Sequence, residues 1–196
     1  MKIGLFFGSF NPVHHGHLII AQHLLSETDI EQIWMVVSPQ NPFKTSQQLL
    51  NEYQRLHLVR LATEKTPDIR AVDIEFRLPK PSYTIDTLTY LHEKYPQHEF
   101  SIIMGSDSVQ NLSKWKNAEI IMHDYTIYAY KRPGFDMSDS PVKKLIQVEA
   151  PLLMISSSYI RDLIQRGKPF RFLMPEEVRL EIERSGYYRL KPPSEE

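Results

Sequence analysis

The sequence predicts an α/β protein built on a doubly wound parallel sheet. Short, continuously apolar runs alternate along the chain with longer segments of helical periodicity. That is the pattern of strands buried on both faces by crossover helices. The unusual polar clusters fall, almost all of them, directly after the apolar runs. In an open parallel sheet that places them beyond the carboxyl ends of the strands, where ligands bind. Chance would scatter them over both edges.

Each element follows from local pattern. Residues 3–8 (IGLFFG) read as a buried strand, and residues 17–28 put Leu18, Ala21 and Leu25 on one helical face. Residues 33–38 (IWMVVS) read as a second buried strand and 39–48 as a loop. A helix is expected over 51–65 and a third strand over 69–76. Residues 77–82 (RLPKPS) are irregular, because their prolines forbid regular pairing. Then come a helix over 84–95, a fourth strand over 100–105, a helix ending near Met122 and a fifth strand over 125–130. A looser region, 131–140, leads to a strand near 146–149, and a helix over 157–166 opens on serines. The last helix, 175–185, has proline in its first turn, two glutamates after it and Gly186 at its end. Trp34, Tyr125, Tyr128 and Tyr130 lie in strand patterns and read as core.

Composition narrows the function classes. A chain of 196 residues suffices for one domain with a substantial core. That domain is expected over residues 1–190, with a disordered tail over 191–196 (KPPSEE). A formal net charge of -1 gives no bulk attraction to nucleic acid or acidic lipid, so neither is an expected partner. With no cysteine, disulfides, thiolate metal sites and cysteine catalysis are excluded. The apolar N-terminal run is too short to span a bilayer and lacks a signal-peptide cleavage site, so a cytoplasmic location is expected. The oligomeric state, including assembly into a homo-oligomer, is left open.

The stretch GSFNPVHHGH (residues 8–17) gathers three histidines where strand should become helix. Gly8 lets the chain turn off the strand with its backbone N–H groups near a ligand. Pro12 stiffens the loop. His14 and His17 are three apart and share one side of a helix that starts there. Gly16 admits something bulky between them. Three readings compete: helix caps and surface histidines, a His-x-x-His zinc site, and a phosphate site. The zinc reading lacks a third ligand at recognisable spacing. Imidazole N–H groups at a helix N-terminus suit a phosphate chain, and phosphate is the favoured reading. His15 and His23 read as structural or solvent-facing. Ser157 and Arg161, four apart, share a face at another helix start, opposite a core-facing stripe of Ile160, Leu163 and Ile164. A capping serine and a solvated arginine is the plain alternative.

GSFNPVHHGH resembles the HxGH signature of the Rossmann-like nucleotidyltransferase superfamily. SPQNPFK, EFRLPKPSYTIDTL, FSIIMGSDSVQNLSKW, YKRPGF and ISSSYIRDLI follow in the order seen in bacterial nicotinate mononucleotide adenylyltransferases. The resemblance runs over residues 2–189, and its SYTxDTL and GxDxxxxLxxW segments are quite specific. It departs from the family pattern at Phe7-Gly8, commonly Gly-Gly, and at Asn11, commonly Asp, which weakens any direct metal role at position 11. Residues 41–44 read NPFK where PPHK is common, so Lys44 keeps the charge but a histidine contact is lost.

The resemblance implies a fold of the nucleotidyltransferase type and adenylyl transfer from ATP to nicotinate mononucleotide in NAD biosynthesis, with Mg²⁺ carried on the ATP phosphates. It implies that His14, His17, Lys44 and Arg161 carry the phosphate chemistry. ATP would further meet Gly8, Ser9, Phe10, Gly16 and Ser157, with Gly105 and Asp107 at its ribose. Lys44, Ser82, Tyr83, Thr84, Trp115 and Arg132 would serve the mononucleotide. In this reading Trp115 stacks on the pyridine ring and backbone N–H groups near Tyr83 read its carboxylate. Plain alternatives stay open: a capping Asp107, core Trp115 and Tyr83, and a solvated Arg132.

Overall fold

In the computed structural model, which describes residues 1–39, 49–151 and 153–190, strands and helices alternate. The order is β1 (Lys2–Gly8), α1 (His15–Glu27), β2 (Gln32–Val37), α2 (Glu52–Thr63), β3 (Ile69–Val72), α3 (Thr84–Lys94) and β4 (Glu99–Gly105). Then follow α4 (Ser106–Gln110), α5 (Ala118–Asp124), β5 (Thr126–Tyr130), β6 (Lys144–Val148), α6 (Ser157–Gln165) and α7 (Glu176–Ser185). The six strands of the described residues form one sheet, all parallel, in the order β3-β2-β1-β4-β5-β6. β1 and β4 are central neighbours, and the chain leaves them toward opposite edges. That divergence opens a crevice at their carboxyl ends.

Strand alternation sorts the core onto two faces. Phe6, Ile33, Met35 and Ile103 meet Ile20, Leu24, Leu56, Val59, Ile160, Val178 and Ile182 from α1, α2, α6 and α7. Ile3, Leu5, Trp34, Val36 and Ile102 meet Leu88, Leu91, Val109 and Ile121 from α3, α4 and α5. Each fully buried aliphatic side chain contributes roughly 1.5–3 kcal/mol. Trp34, Tyr128 and Tyr130 are buried as expected, and Tyr125 is half-buried against the second face.

Two elements differ from the sequence pattern. The expected strand over 69–76 stops at Val72, and Ile74–Arg77 turns into a 3-10 helix. β3 is an edge strand whose register with β2 ends at Val36–Val72. Beyond it the chain turns Glu75 inward, with N–H of Phe76 donating to the Asp73 carbonyl at 3.0 Å. The single helix expected after β4 is broken into α4, a 3-10 turn at Leu112–Lys114 and α5. Trp115 is extended there, and Asn117 is left-handed at φ 51, a conformation asparagine tolerates. Smaller shifts follow capping. Asn51 caps α2, its side-chain oxygen accepting from the Tyr53 N–H at 2.9 Å. Ser156 caps α6, and Pro175 precedes α7 rather than lying in it.

The sheet's carboxyl edge is tied together by Arg55 of α2, which is 0% exposed. Its Nε donates to the Leu50 carbonyl at 2.8 Å. One terminal nitrogen donates to the carbonyls of Ser9 at 2.6 Å and Ser38 at 2.8 Å, and the other to Pro39 at 3.0 Å. The loops after β1 and β2 thus share one anchor. Arg55→Met, which keeps the stem but removes the donors, should lower the free energy of urea unfolding by about 3 kcal/mol or more, because several buried carbonyls lose a charged partner. A loss below about 1 kcal/mol would mean that water replaces the guanidinium.

Candidate active site

The crevice is built from the ends of β1, β4 and β5 and the starts of α1 and α6. After Gly8 the chain doubles back through Phe10, at φ 44. A Cβ on Gly8 would lie 2.8 Å from the Phe10 ring. That ring is buried, edge-on to Phe6 and to His17 with centroids 5.9 and 5.0 Å away. Phe10 is therefore turned into the core, and a ligand contact there falls to its backbone.

α1 begins at His15, two residues earlier than the periodicity suggested, with His14 at the cap. The backbone N–H of His14 donates to Nδ1 of His17 at 3.3 Å, which leaves the His17 proton on Nε2. The two imidazoles stack with centroids 3.8 Å apart. A Cβ on Gly16 would come within 3.0 Å of the His14 ring, so the bulky group this glycine admits is His14 itself. His14 is only 5% exposed, and its Nδ1 is buried with no hydrogen-bond partner among the described residues. Burial, then the nearby charges of His15 and Arg132, lower its pKa to about 4. At neutral pH His14 offers a dipole and a donor rather than a charge.

α6 is sewn onto this loop. The Ser157 hydroxyl donates to the Pro12 carbonyl at 2.9 Å, and Arg161 donates to the Asn11 carbonyl at 2.8 Å. Ile160 and Ile164 are buried and Leu163 is half-buried, as the expected stripe requires. The Asn11 side-chain oxygen accepts from the Leu50 N–H at 3.2 Å and from the Tyr188 hydroxyl at 2.9 Å. Position 11 is thus a structural junction.

Across the crevice, Arg132 folds back over the end of β4. Its N–H donates to the Ser106 hydroxyl at 2.8 Å, and its guanidinium meets Asp107 at 3.4 Å and the Tyr130 hydroxyl at 3.2 Å. A Cβ on Gly105 would collide with Asp107 Oδ1 and lie 2.9 Å from Arg132 Nε, so only glycine lets the two close over the strand end. Asp107 Oδ1 is buried without a hydrogen-bond partner among the described residues.

The turn before α3 lies at the end of the 3-10 segment. Ser82 is buried and its hydroxyl donates to Glu75 at 2.8 Å, so a ligand contact there also falls to the backbone. Tyr83 and Trp115 are both half-buried and pack against the same core face. The Lys116 ammonium sits 4.9 Å over the Tyr83 ring and 2.9 Å from Asp86. Thr84 is the first residue of α3. Lys44 lies outside the described residues. No three His, Asp or Glu side chains among the described residues come together as a metal would need. Sequence reasoning missed Arg55, Glu75 and Tyr188. Only their burial marks them, and nothing in their local pattern announces it.

Parallel strands diverging over imidazole, guanidinium and two helix N-termini define an α/β protein of the nucleotidyltransferase class. The profile of the cytidylyltransferase-like family matches residues 5–163. A protein of Cytophaga hutchinsonii named "Probable nicotinate-nucleotide adenylyltransferase" is 54% identical over 162 residues, covering 81% of this chain and 83% of that protein. One of the same name from Flavobacterium psychrophilum is 51% identical, with 81% and 84% covered. The solved structure of Plasmodium falciparum nicotinic acid mononucleotide adenylyltransferase complexed with NaAD shares the fold, with a TM-score of 0.79 at 21% identity over 95% of this chain and 97% of that one. The chain belongs to the cytidylyltransferase-like family and, within it, to the nicotinate-nucleotide adenylyltransferases.

The His14 pKa makes a prediction with a definite sign. Between its unfolded value of 6.5 and its folded value of about 4, the native protein binds fewer protons than the unfolded chain. The stability tied to this group is complete above that window and is lost as pH falls through it, by about 3 kcal/mol. His14→Gln should therefore flatten the decline of urea-unfolding free energy between about pH 7 and about pH 4. Parallel declines in wild type and variant would show that another group titrates.

Proposed function

We propose that this protein joins ATP and nicotinate mononucleotide, releasing pyrophosphate and forming deamido-NAD, as a step of NAD biosynthesis. The observation that carries the reading is the meeting of the α1 and α6 N-termini on one loop, with His14, His17, Ser157 and Arg161 around it. The arrangement is made for a chain of phosphates. The attacking group is itself a phosphate, largely ionised at neutral pH because its second pKa is roughly 6. Neither a protein nucleophile nor a general base is needed. The task is to hold two anions in line and to stabilise the charge that develops.

Each part of the crevice has a role in this reading. His17 donates from Nε2 to the transferring phosphate, and His14 does so as a neutral imidazole. Arg161 and Lys44 hold the β- and γ-phosphates together with the backbone N–H of Ser157, whose hydroxyl is committed to the Pro12 carbonyl. The backbones of Gly8, Ser9 and Phe10 shape the bed on which ATP lies, and Gly105 and Asp107 take its ribose. Arg132, whose charge already reaches His14, neutralises the mononucleotide phosphate. Trp115 and Tyr83 flank the pyridine ring, and the N–H groups at the start of α3, near Ser82 and Thr84, read its carboxylate. Magnesium prefers phosphate oxygens and water. Imidazole and guanidinium groups suit the phosphates instead, so Mg²⁺ would arrive as part of the ATP substrate and would supply charge neutralisation there. Residues 1–190 act as one domain, working in the cytoplasm.

Pyrophosphate release from ATP and Mg²⁺ should be strong with nicotinate mononucleotide and weak with nicotinamide mononucleotide or phosphopantetheine. A preference for either of the latter overturns the acceptor assignment. His17→Ala should lower kcat by about 10²–10³ with little change in melting temperature. Undiminished turnover removes the ring from the chemistry. Trp115→Ala should raise KM for the mononucleotide more than KM for ATP, and equal changes would make it core alone.

A further inference from the structure

Glu75 is a carboxylate buried to 2% exposure in the Ile74–Arg77 turn, and the proposed chemistry leaves it unused. Both of its oxygens accept from hydroxyls. Ser82 donates to Oε2 at 2.8 Å, and Thr87 donates to Oε1 at 3.0 Å. The Ser38 hydroxyl at the end of β2 also favours its charged form, and no cation contributes. Desolvation pushes its carboxyl up against those three hydroxyls. A buried acid without a cation is an expensive way to fill space that an apolar side chain would fill more stably.

What the acid controls is the turn before α3. Ser82 and Thr87 flank Tyr83, the residue at the helix cap, and the Tyr83 carbonyl already takes the N–H groups of Asp86 and Thr87. Helix starts leave their first N–H groups unpaired, and a nearby hydroxyl normally takes one. No side-chain oxygen at the cap position does so here. The hydroxyls of Ser82, just before the cap, and Thr87, one turn into the helix, are drawn inward to Glu75. Lys80 with Glu52 at 2.8 Å and Lys116 with Asp86 at 2.9 Å also tie this segment, as exposed ion pairs that restrain it weakly by comparison.

We propose that Glu75 is a positioning residue for acceptor recognition: by binding the hydroxyls of Ser82 and Thr87 it fixes the turn and keeps the first backbone N–H groups of α3 open to the acceptor's carboxylate. This rests on the acceptor reading given above. The role predicts an effect on one substrate only. In that reading ATP lies along the ends of β1 and β4 and against α6, and none of the residues assigned to it belongs to this turn.

The test is steady-state kinetics of the full chain carrying Glu75→Leu and Glu75→Gln, with thermal unfolding recorded for each. Glu75→Leu should raise KM for nicotinate mononucleotide about tenfold or more, leave KM for ATP within about twofold, and narrow the preference for the acid over the amide acceptor. Glu75→Gln keeps an oxygen acceptor and should recover most of the loss. If Glu75→Leu does not fold, Ser82→Ala with Thr87→Val removes the same two bonds and should give the same one-sided rise. Equal rises in both KM values, an unchanged acceptor KM, or a Gln variant no better than Leu overturns the inference. Wild-type protein that binds ATP but releases no pyrophosphate with nicotinate mononucleotide overturns the acceptor reading, and the role of Glu75 with it. Wild-type turnover with an unaffected Glu75→Leu overturns the role of Glu75 alone.

Discussion

Loops that leave the strands of a parallel sheet carry carbonyls that no neighbouring strand pairs, and at this sheet's carboxyl edge three of them, with the Leu50 carbonyl before α2, converge on the Arg55 guanidinium. The anchor is cationic, fully buried and planar, so it can serve several carbonyls at once, with Glu52 acting on it through charge alone. That choice matters for what lies above. A carboxylate in the same place would add negative charge beneath the crevice proposed to take phosphates, whereas a guanidinium adds positive charge. Ser9, at the head of the β1 loop, and Ser38 and Pro39, after β2, are held by this one side chain.

The crevice above is defined as much by missing atoms as by present ones. Gly8 makes room for Phe10, Gly16 for His14, and Gly105 for Asp107 and Arg132. At Gly16 and Gly105 a methyl group would meet a side chain of the crevice, and at Gly8 it would meet the core ring of Phe10 on which the loop turns. The imidazole of His14 can be stacked, desolvated and neutral because the glycine beneath it lets it lie along the first turn of α1. Preorganisation of this kind suits a reaction in which the protein contributes no covalent chemistry and only the placing of charge counts.

Much of this was legible in the sequence, and the remainder was hidden for identifiable reasons. Apolar runs such as IGLFFG and IWMVVS gave the buried strands because both faces are covered, and the polar clusters gave the working edge because parallel strands all point one way. The end of β3 was not legible. VDIEF alternates like a strand, and only the distant hydroxyls of Ser82 and Thr87 explain why Glu75 turns inward. Arg55 sits in a helix pattern where an arginine reads as a solvated charge, and its partners lie in other loops. The break after β4 depends on one left-handed residue, Asn117, which local propensity permits but does not demand. At the site, the histidine pair and the serine–arginine pair stand at the crevice, while Phe10 and Ser82 turn their side chains inward.

The bond from the Tyr188 hydroxyl to Asn11 joins the first loop of the chain to its last described segment. The two residues lie 177 positions apart in the chain. A contact of that span exists only when distant stretches are already in place, and its loop-closure cost is met by the folded domain as a whole. The shape of the histidine loop is therefore set in part by α7 and the turn that follows it, so a disturbance at that far segment is felt at the crevice.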